Sequence, residues 1–319
     1  MTQPEPPGRS TFTIEGRSAP GLFVLGWLAT LLGLGAVLAG IMSSGGIVGT
    51  VVFLAGLLVL DIGLIAGAGS QAIERQARGT ELYRGPSPVL VLLASIVTVY
   101  LAATLVGLPL AASGISLPGP AAQLLLVAIH AAVYAGITRL LVVGTGALSW
   151  AQIGFVGPRR RALSEMAWGA VLAGPVVLAT AVLAAILVSV FRSTPASPLP
   201  PAGTLGGLLL NLLAGAVIAP LGEEILFRGV ATTAWVRSLG PRVGIVRGAL
   251  LFALVHVLLI SADTFSQAAG LAAVGFLGRL PVALVLGWVY VRRGSIWAPI
   301  GLHAAFNGVL IILAEVGTS

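Results

Sequence analysis

LGEEILFRGV, residues 221–230, sets two adjacent glutamates and an arginine inside apolar sequence. The chain has only ten acidic residues in 319, so a doubled carboxylate at such a place calls for a physical reason. The surroundings supply the setting. The sequence is 57% hydrophobic and 8% charged, with a mean hydropathy of +1.06. A soluble domain carries about 25% charge. Apolar runs of roughly 20 residues recur, each long enough to cross a bilayer core as a helix. The fold class is therefore all-α, a polytopic transmembrane helical bundle. Its 43 glycines fit, since small residues let membrane helices pack closely.

The apolar spans fall at 21–42, 46–68, 88–113, 120–143, 166–191, 204–227, 247–262, 267–291 and 295–315. That predicts about nine, or eight if Arg279 and Pro281 shorten or break the span at 267–291. Residues 1–20 are polar and Pro-rich, and read as a disordered tail rather than a signal peptide, because the apolar run that follows is too long. Residues 21–85 hold two N-terminal transmembrane helices without motif residues, and residues 86–319 hold the core. Pro-rich SPLPPAG, 197–203, marks a connection.

All 17 basic residues are arginine, and there is no cysteine, which excludes disulfides, iron–sulfur clusters and thiol nucleophiles. Arginines cluster in alternate connections: Arg9 and Arg17; Arg75, Arg78 and Arg84; Arg159, Arg160 and Arg161; Arg237, Arg242 and Arg247; Arg292 and Arg293. This positive-inside bias predicts a cytoplasmic N-terminus and, with nine spans, an external C-terminus. It accounts for the high pI without a nucleic-acid partner. The all-arginine, Ala- and Gly-rich composition points to a bacterial plasma membrane protein. Membrane lipid is one partner, and the run Arg159–Arg161 is most simply a topology signal, with attraction of anionic lipid as the alternative.

Ionisable groups inside spans are costly and so are functional candidates. They are Asp61, His130, Glu223, Glu224, Arg228, His256, Arg279 and His303. Adjacent helical residues point about 100° apart, so the two glutamates serve different purposes. Glu224 and Arg228 are at i and i+4, with the glutamate first, the better order for an ion pair. Glu223 then faces elsewhere, with no partner on its own helix, and a carboxylate in apolar surroundings suits general base or acid work. Depth gives it company. Measured from the arginine side along a helix, Glu223, His256 and His303 lie about 21, 14 and 15 Å in. His303 and Asn307 share one face at i and i+4, as do Phe252 and His256. A carboxylate and a histidine can activate water, and a second histidine with an amide can donate to an oxyanion. Two histidines and a glutamate are also zinc ligands. The residues leave both readings open. His130 and Asp61 match no motif: His130 reads as a helix–helix hydrogen bonder, Asp61 as sitting at a helix crossing or reaching water, Arg279 as snorkelling or facing a cavity, and Phe252 as packing.

At these residues the sequence resembles the CPBP family, the CAAX-protease and bacteriocin-processing (Abi) intramembrane proteases, whose pattern is EExxxR, FxxxH, HxxxN. Here EEILFR stands at 223–228, FALVH at 252–256 and HAAFN at 303–307, in order, with the likeness extending over about 150–315. The resemblance implies a CAAX-protease-like core within 86–319 and an intramembrane endopeptidase acting on a peptide or lipidated protein. It implies that Glu223 activates water with help from His256, that His303 and Asn307 stabilise the oxyanion, and that Glu224 and Arg228 hold the site in shape. Members are often labelled metalloproteases. The reading adopted here requires no cofactor, because the asparagine and second glutamate suit hydrogen bonding better than ligation. If zinc is used, its ligands are Glu223, His256 and His303. The alternatives are a catalytically silent immunity or scaffold protein, which keeps the motifs for assembly, and a proton-coupled transporter, whose span pairs would be interrupted symmetrically.

Overall fold

The computed structural model describes residues 14–43, 46–79, 82–195 and 199–317. The expected tail lies outside the described residues as far as residue 13, with Arg9, as do 197 and 198 of the Pro-rich connection. Residues 14–19 form turns, and the Ser18 backbone N–H donates to the Glu74 carboxylate at 2.6 Å. Everything regular among the described residues is helical.

The chain divides into two compact units, Met1–Leu101 and Ala102–Ser319, and the boundary falls inside helix α3, Pro88–Ala112, rather than between residues 85 and 86. In the first unit α1, Pro20–Met42, pairs with α2, Gly46–Arg78. Their contact is a seam of glycines every seventh residue: Gly26, Gly33 and Gly40 on α1, and Gly49, Gly56 and Gly63 on α2. A Cβ on Gly33 would stand 2.3 Å from the Leu60 backbone nitrogen, and one on Gly63 2.3 Å from that of Thr30. The backbones touch, as expected where lipid leaves van der Waals contact to drive helix association. Asp61 is buried at the crossing with α3 and accepts a hydrogen bond from Thr98 Oγ1 at 2.7 Å.

The second unit holds α4, Gly119–Thr138; α5, Arg159–Val171; α6, Ala173–Phe191; a continuous run Leu205–Leu239; α10, Pro241–Val255; α11, Phe265–Arg293; and α12, Trp297–Val316. The continuous run comprises α7, Leu205–Leu212; α8, Ala219–Glu224; α9, Thr233–Leu239; and two π-helical stretches, Leu213–Ile218 and Ile225–Thr232, on either side of α8. Apolar side chains of α6, α11 and α12, among them Val176, Leu286, Leu302 and Phe306, form one buried cluster. α5 lies against α12 through glycines: a Cβ on Gly301 would stand 2.0 Å from the Met166 carbonyl oxygen. Arg293 joins α11 to α5 by a bidentate pair with Glu165, both bonds 2.7 Å.

Among the described residues, eight helical stretches are long and apolar enough to cross a membrane, with α5 and α6 counted as one and Leu205–Leu239 as one. The span expected at 267–291 is one continuous helix that accommodates Pro281. The run at 247–262 differs from expectation. Its helix, α10, has 15 residues, about 22 Å, short of a bilayer core of about 30 Å. It ends at His256 and gives way to turns. α10 runs antiparallel to α11, with Ile245 against Gly287 and Val257 against Gly275. Residues 256–264 that follow are turns and irregular backbone, with Leu258 and Leu259 exposed.

Candidate active site

The glutamate pair sits on α8, one turn and a half of α-helix between the two π stretches. π-helical turns widen the backbone and occur often at functional sites. The first has a local cause. Pro220 has no N–H to donate, and in π register its acceptor would be the Gly215 carbonyl. That carbonyl instead accepts from Asn307 Nδ2 at 2.8 Å. The asparagine thus replaces the missing proline donor and ties α12 to the strand of helix that carries the glutamates. Gly222 provides a second close approach. A Cβ there would lie 2.6 Å from the Ala131 Cα, so α4 rests directly against α8 beside Glu223.

Glu224 is fully buried. Its Oε1 accepts from Arg228 Nη1 at 3.0 Å and from His303 Nδ1 at 2.8 Å. The expected i, i+4 pair is present and is enlarged by His303 into a buried triad. Arg228 also donates to the Ala283 carbonyl of α11 at 3.3 Å and lies 4.5 Å over the Phe252 ring. Such extra bonds are what make a buried charge tolerable. Phe252 additionally meets the rings of Phe227, His256 and His303, at 5.1, 4.5 and 5.8 Å. It packs, as expected, and is the shared wall of the site.

Glu223 points the other way and is 23% exposed. Its Oε2 lies 3.9 Å from His256 Nε2 and 3.7 Å from His303 Nε2. Both rings are oriented by their other nitrogen. His256 Nδ1 is 2.7 Å from the Phe252 carbonyl oxygen, one helical turn back, and His303 Nδ1 faces the Glu224 carboxylate. An oxygen acceptor at Nδ1 fixes the proton there and leaves each Nε2 turned to Glu223. Three helices that are remote in sequence thus converge on one carboxylate oxygen. Gaps of 3.7 and 3.9 Å are too long for direct hydrogen bonds and suit a bridging water.

A cavity of about 230 Å³ opens beside Glu223 and His256, lined also by Leu126, His130, Tyr134 and Phe227. His130 bonds the Leu126 carbonyl through Nδ1 at 2.8 Å, one turn back on its own helix, and Tyr134 stacks edge-on to it at 6.1 Å. Arg279 donates to the Gly275 carbonyl at 2.8 Å and stands close enough for its charge to act on both Glu223 and His256. His130, Tyr134 and Arg279 are the residues that sequence reasoning left out of the site. Two signals pointed to them: the i, i+4 spacing of His130 and Tyr134, and the glycine that brings α4 against Glu223. Asp61 belongs to the first unit.

The donor set Glu223, His256 and His303 has the chemistry of a zinc site. Among the described residues, however, no group of three or more His, Cys, Asp or Glu side chains is arranged to hold a metal ion.

Residues 205–309 match the Rce1-like family, Type II CAAX prenyl endopeptidase Rce1-like. This part of the chain is a CAAX-protease-family domain. The match takes in all three motifs and is narrower than the likeness expected over about 150–315. No curated protein and no solved structure matches the chain. The CAAX-protease-family domain holds its glutamates and histidines in one buried cluster consistent with a catalytic site, which gives the protein the potential to be an enzyme.

Proposed function

We propose that the protein is an intramembrane endopeptidase that hydrolyses a peptide bond with water activated by Glu223. The observation that carries this reading is the convergence of Glu223 Oε2 with two histidine Nε2 atoms on one side and an open cavity on the other. A water between Glu223 and His256 donates one hydrogen to each, leaving a lone pair for the substrate carbonyl carbon. As the C–O bond forms, Glu223 takes the proton. His303, held through Nδ1 by the Glu224 carboxylate, turns its Nε2 to the oxyanion as a donor. Collapse breaks the C–N bond, and Glu223 returns the proton to the leaving amine. Glu224 and Arg228 fix His303. Asn307 acts first as a positioning residue, through Gly215, and its second N–H is available to the oxyanion.

The substrate is a peptide or lipidated protein with an apolar group near the cut. In support, an open apolar cavity of about 280 Å³, lined by Val106, Leu110, Ile115 and Ile129, shares Leu126 with the cavity at Glu223. The test is cleavage of a prenylated CAAX peptide and of a membrane-peptide library by purified wild type and Glu223→Ala. Turnover by wild type alone is the expected result. Equal turnover by both sinks the assignment of Glu223. Loss of wild-type activity on chelation, restored by zinc, overturns the metal-free reading.

A further inference from the structure

A third cavity, of about 460 Å³, lies in the first unit, far along the sequence from the motifs. It is cut between α1 and α2 where their glycine seam ends. Gly26, Gly63 and Gly67 form part of its floor, and Phe23, Trp27, Leu64 and Leu90 its apolar walls. Its polar rim carries Arg17, Arg75 and Arg78 against one acidic residue, Glu74. Glu74 is buried and accepts the Ser18 backbone N–H, Arg75 Nη1 donates to the Gly85 carbonyl at 2.8 Å, and the Arg17 guanidinium lies 3.5 Å over the Phe23 ring. The lining thus counts three arginines against one glutamate. Ser70, which also lines the cavity, is 2% exposed, and its Oγ has no hydrogen-bond partner. A buried hydroxyl normally has one.

The position in the hairpin says what environment this cavity meets. α2 has 33 residues, about 50 Å, against a hydrocarbon core of about 30 Å. The apolar walls lie at the level of α1, and the arginines in the last turns of α2 and just before α1, beyond the core. Apolar walls under a cationic rim, with an unmet hydroxyl between, match a phosphate attached to acyl chains. We propose that the α1–α2 hairpin is a binding site for one anionic phospholipid, its phosphate held by Arg75, Arg78 and the Ser70 hydroxyl, and a chain laid along Trp27 and Leu64. The proposal is independent of what Glu223 does.

The decisive variant fills the cavity. A Cβ on Gly67 meets nothing within 4 Å, so Gly67→Leu projects into the space without striking backbone. Gly69 has the same freedom on the same helix but does not line the cavity, so Gly69→Leu is the control. Delipidated full-length protein in detergent is titrated with phosphatidylglycerol and read by native mass spectrometry, with thermal unfolding checked for each variant. One lipid per chain is expected to bind saturably, with phosphatidylcholine at least about fivefold weaker. Gly67→Leu loses the site, Arg78→Gln weakens it about fivefold, and Gly69→Leu keeps it. Unchanged binding by a folded Gly67→Leu overturns the proposal. So does equal binding of the two lipids. Competition by glycerol phosphate without acyl chains would mean a soluble phosphate site and would overturn the lipid assignment.

Discussion

At the scale of single residues, the two glutamates predict opposite failures. Glu223 is partly exposed and makes no short bond, so Glu223→Gln is expected to fold normally and to lose about 10²- to 10⁴-fold in turnover. Glu224 is fully buried and carries both Arg228 and His303. Glu224→Gln leaves a buried guanidinium uncompensated, at a cost of about 3–5 kcal/mol, and is expected to lower the unfolding temperature as well as activity. Thermal unfolding beside a cleavage assay separates the two. This division was legible in LGEEILFRGV, because helical spacing assigns Glu224 to Arg228. What the spacing did not contain was His303 Nδ1 on Glu224, a contact 79 residues away in sequence that depends on how α12 packs. Tyr134 and Arg279 were missed for the same reason. Neither matches a motif, and their proximity to Glu223 arises from α4 and α11.

At the scale of elements, the site depends on close backbone contacts and on π stretches that no periodicity announces. Hydropathy located the helices, but a π turn differs from an α turn only in bonding one residue further back, i to i−5, and leaves the hydrophobic pattern almost unchanged. The signal present was Pro220, which removes a donor within the run Leu205–Leu239. Asn307→Ala is expected to leave the Gly215 carbonyl unsatisfied, costing about 1–3 kcal/mol, and to reduce turnover through misplacement of Glu223. Asn307→Asp keeps the shape but removes the donor, so it should behave like Asn307→Ala in both assays. Gly222→Ala puts a methyl 2.6 Å from the Ala131 Cα and should force α4 away, destabilising by about 1–3 kcal/mol. Full stability in Gly222→Ala would mean that α4 is not held against α8 as described.

At the scale of the whole chain, composition alone set the all-helical membrane class, and the apolar runs set the order of the helices. Where the reading ran over, at 247–262, the cause is physical. Apolar sequence marks what lies in the membrane without fixing the backbone, and residues 256–264 are turns and irregular backbone whose Leu258 and Leu259 are exposed. The positive-inside pattern read with nine spans predicts termini on opposite sides of the membrane. A reporter at the C-terminus should therefore read external when one at the N-terminus reads cytoplasmic, and two reporters on one side would mean that α10 turns back. The central claim, that Glu223 activates water rather than attacking the peptide itself, has a direct measurement. In a single turnover in ¹⁸O-labelled water, the label is predicted in the new C-terminal carboxylate of the product and nowhere in the enzyme. Label recovered in the Glu223 side chain would show a covalent acyl intermediate and contradict the account.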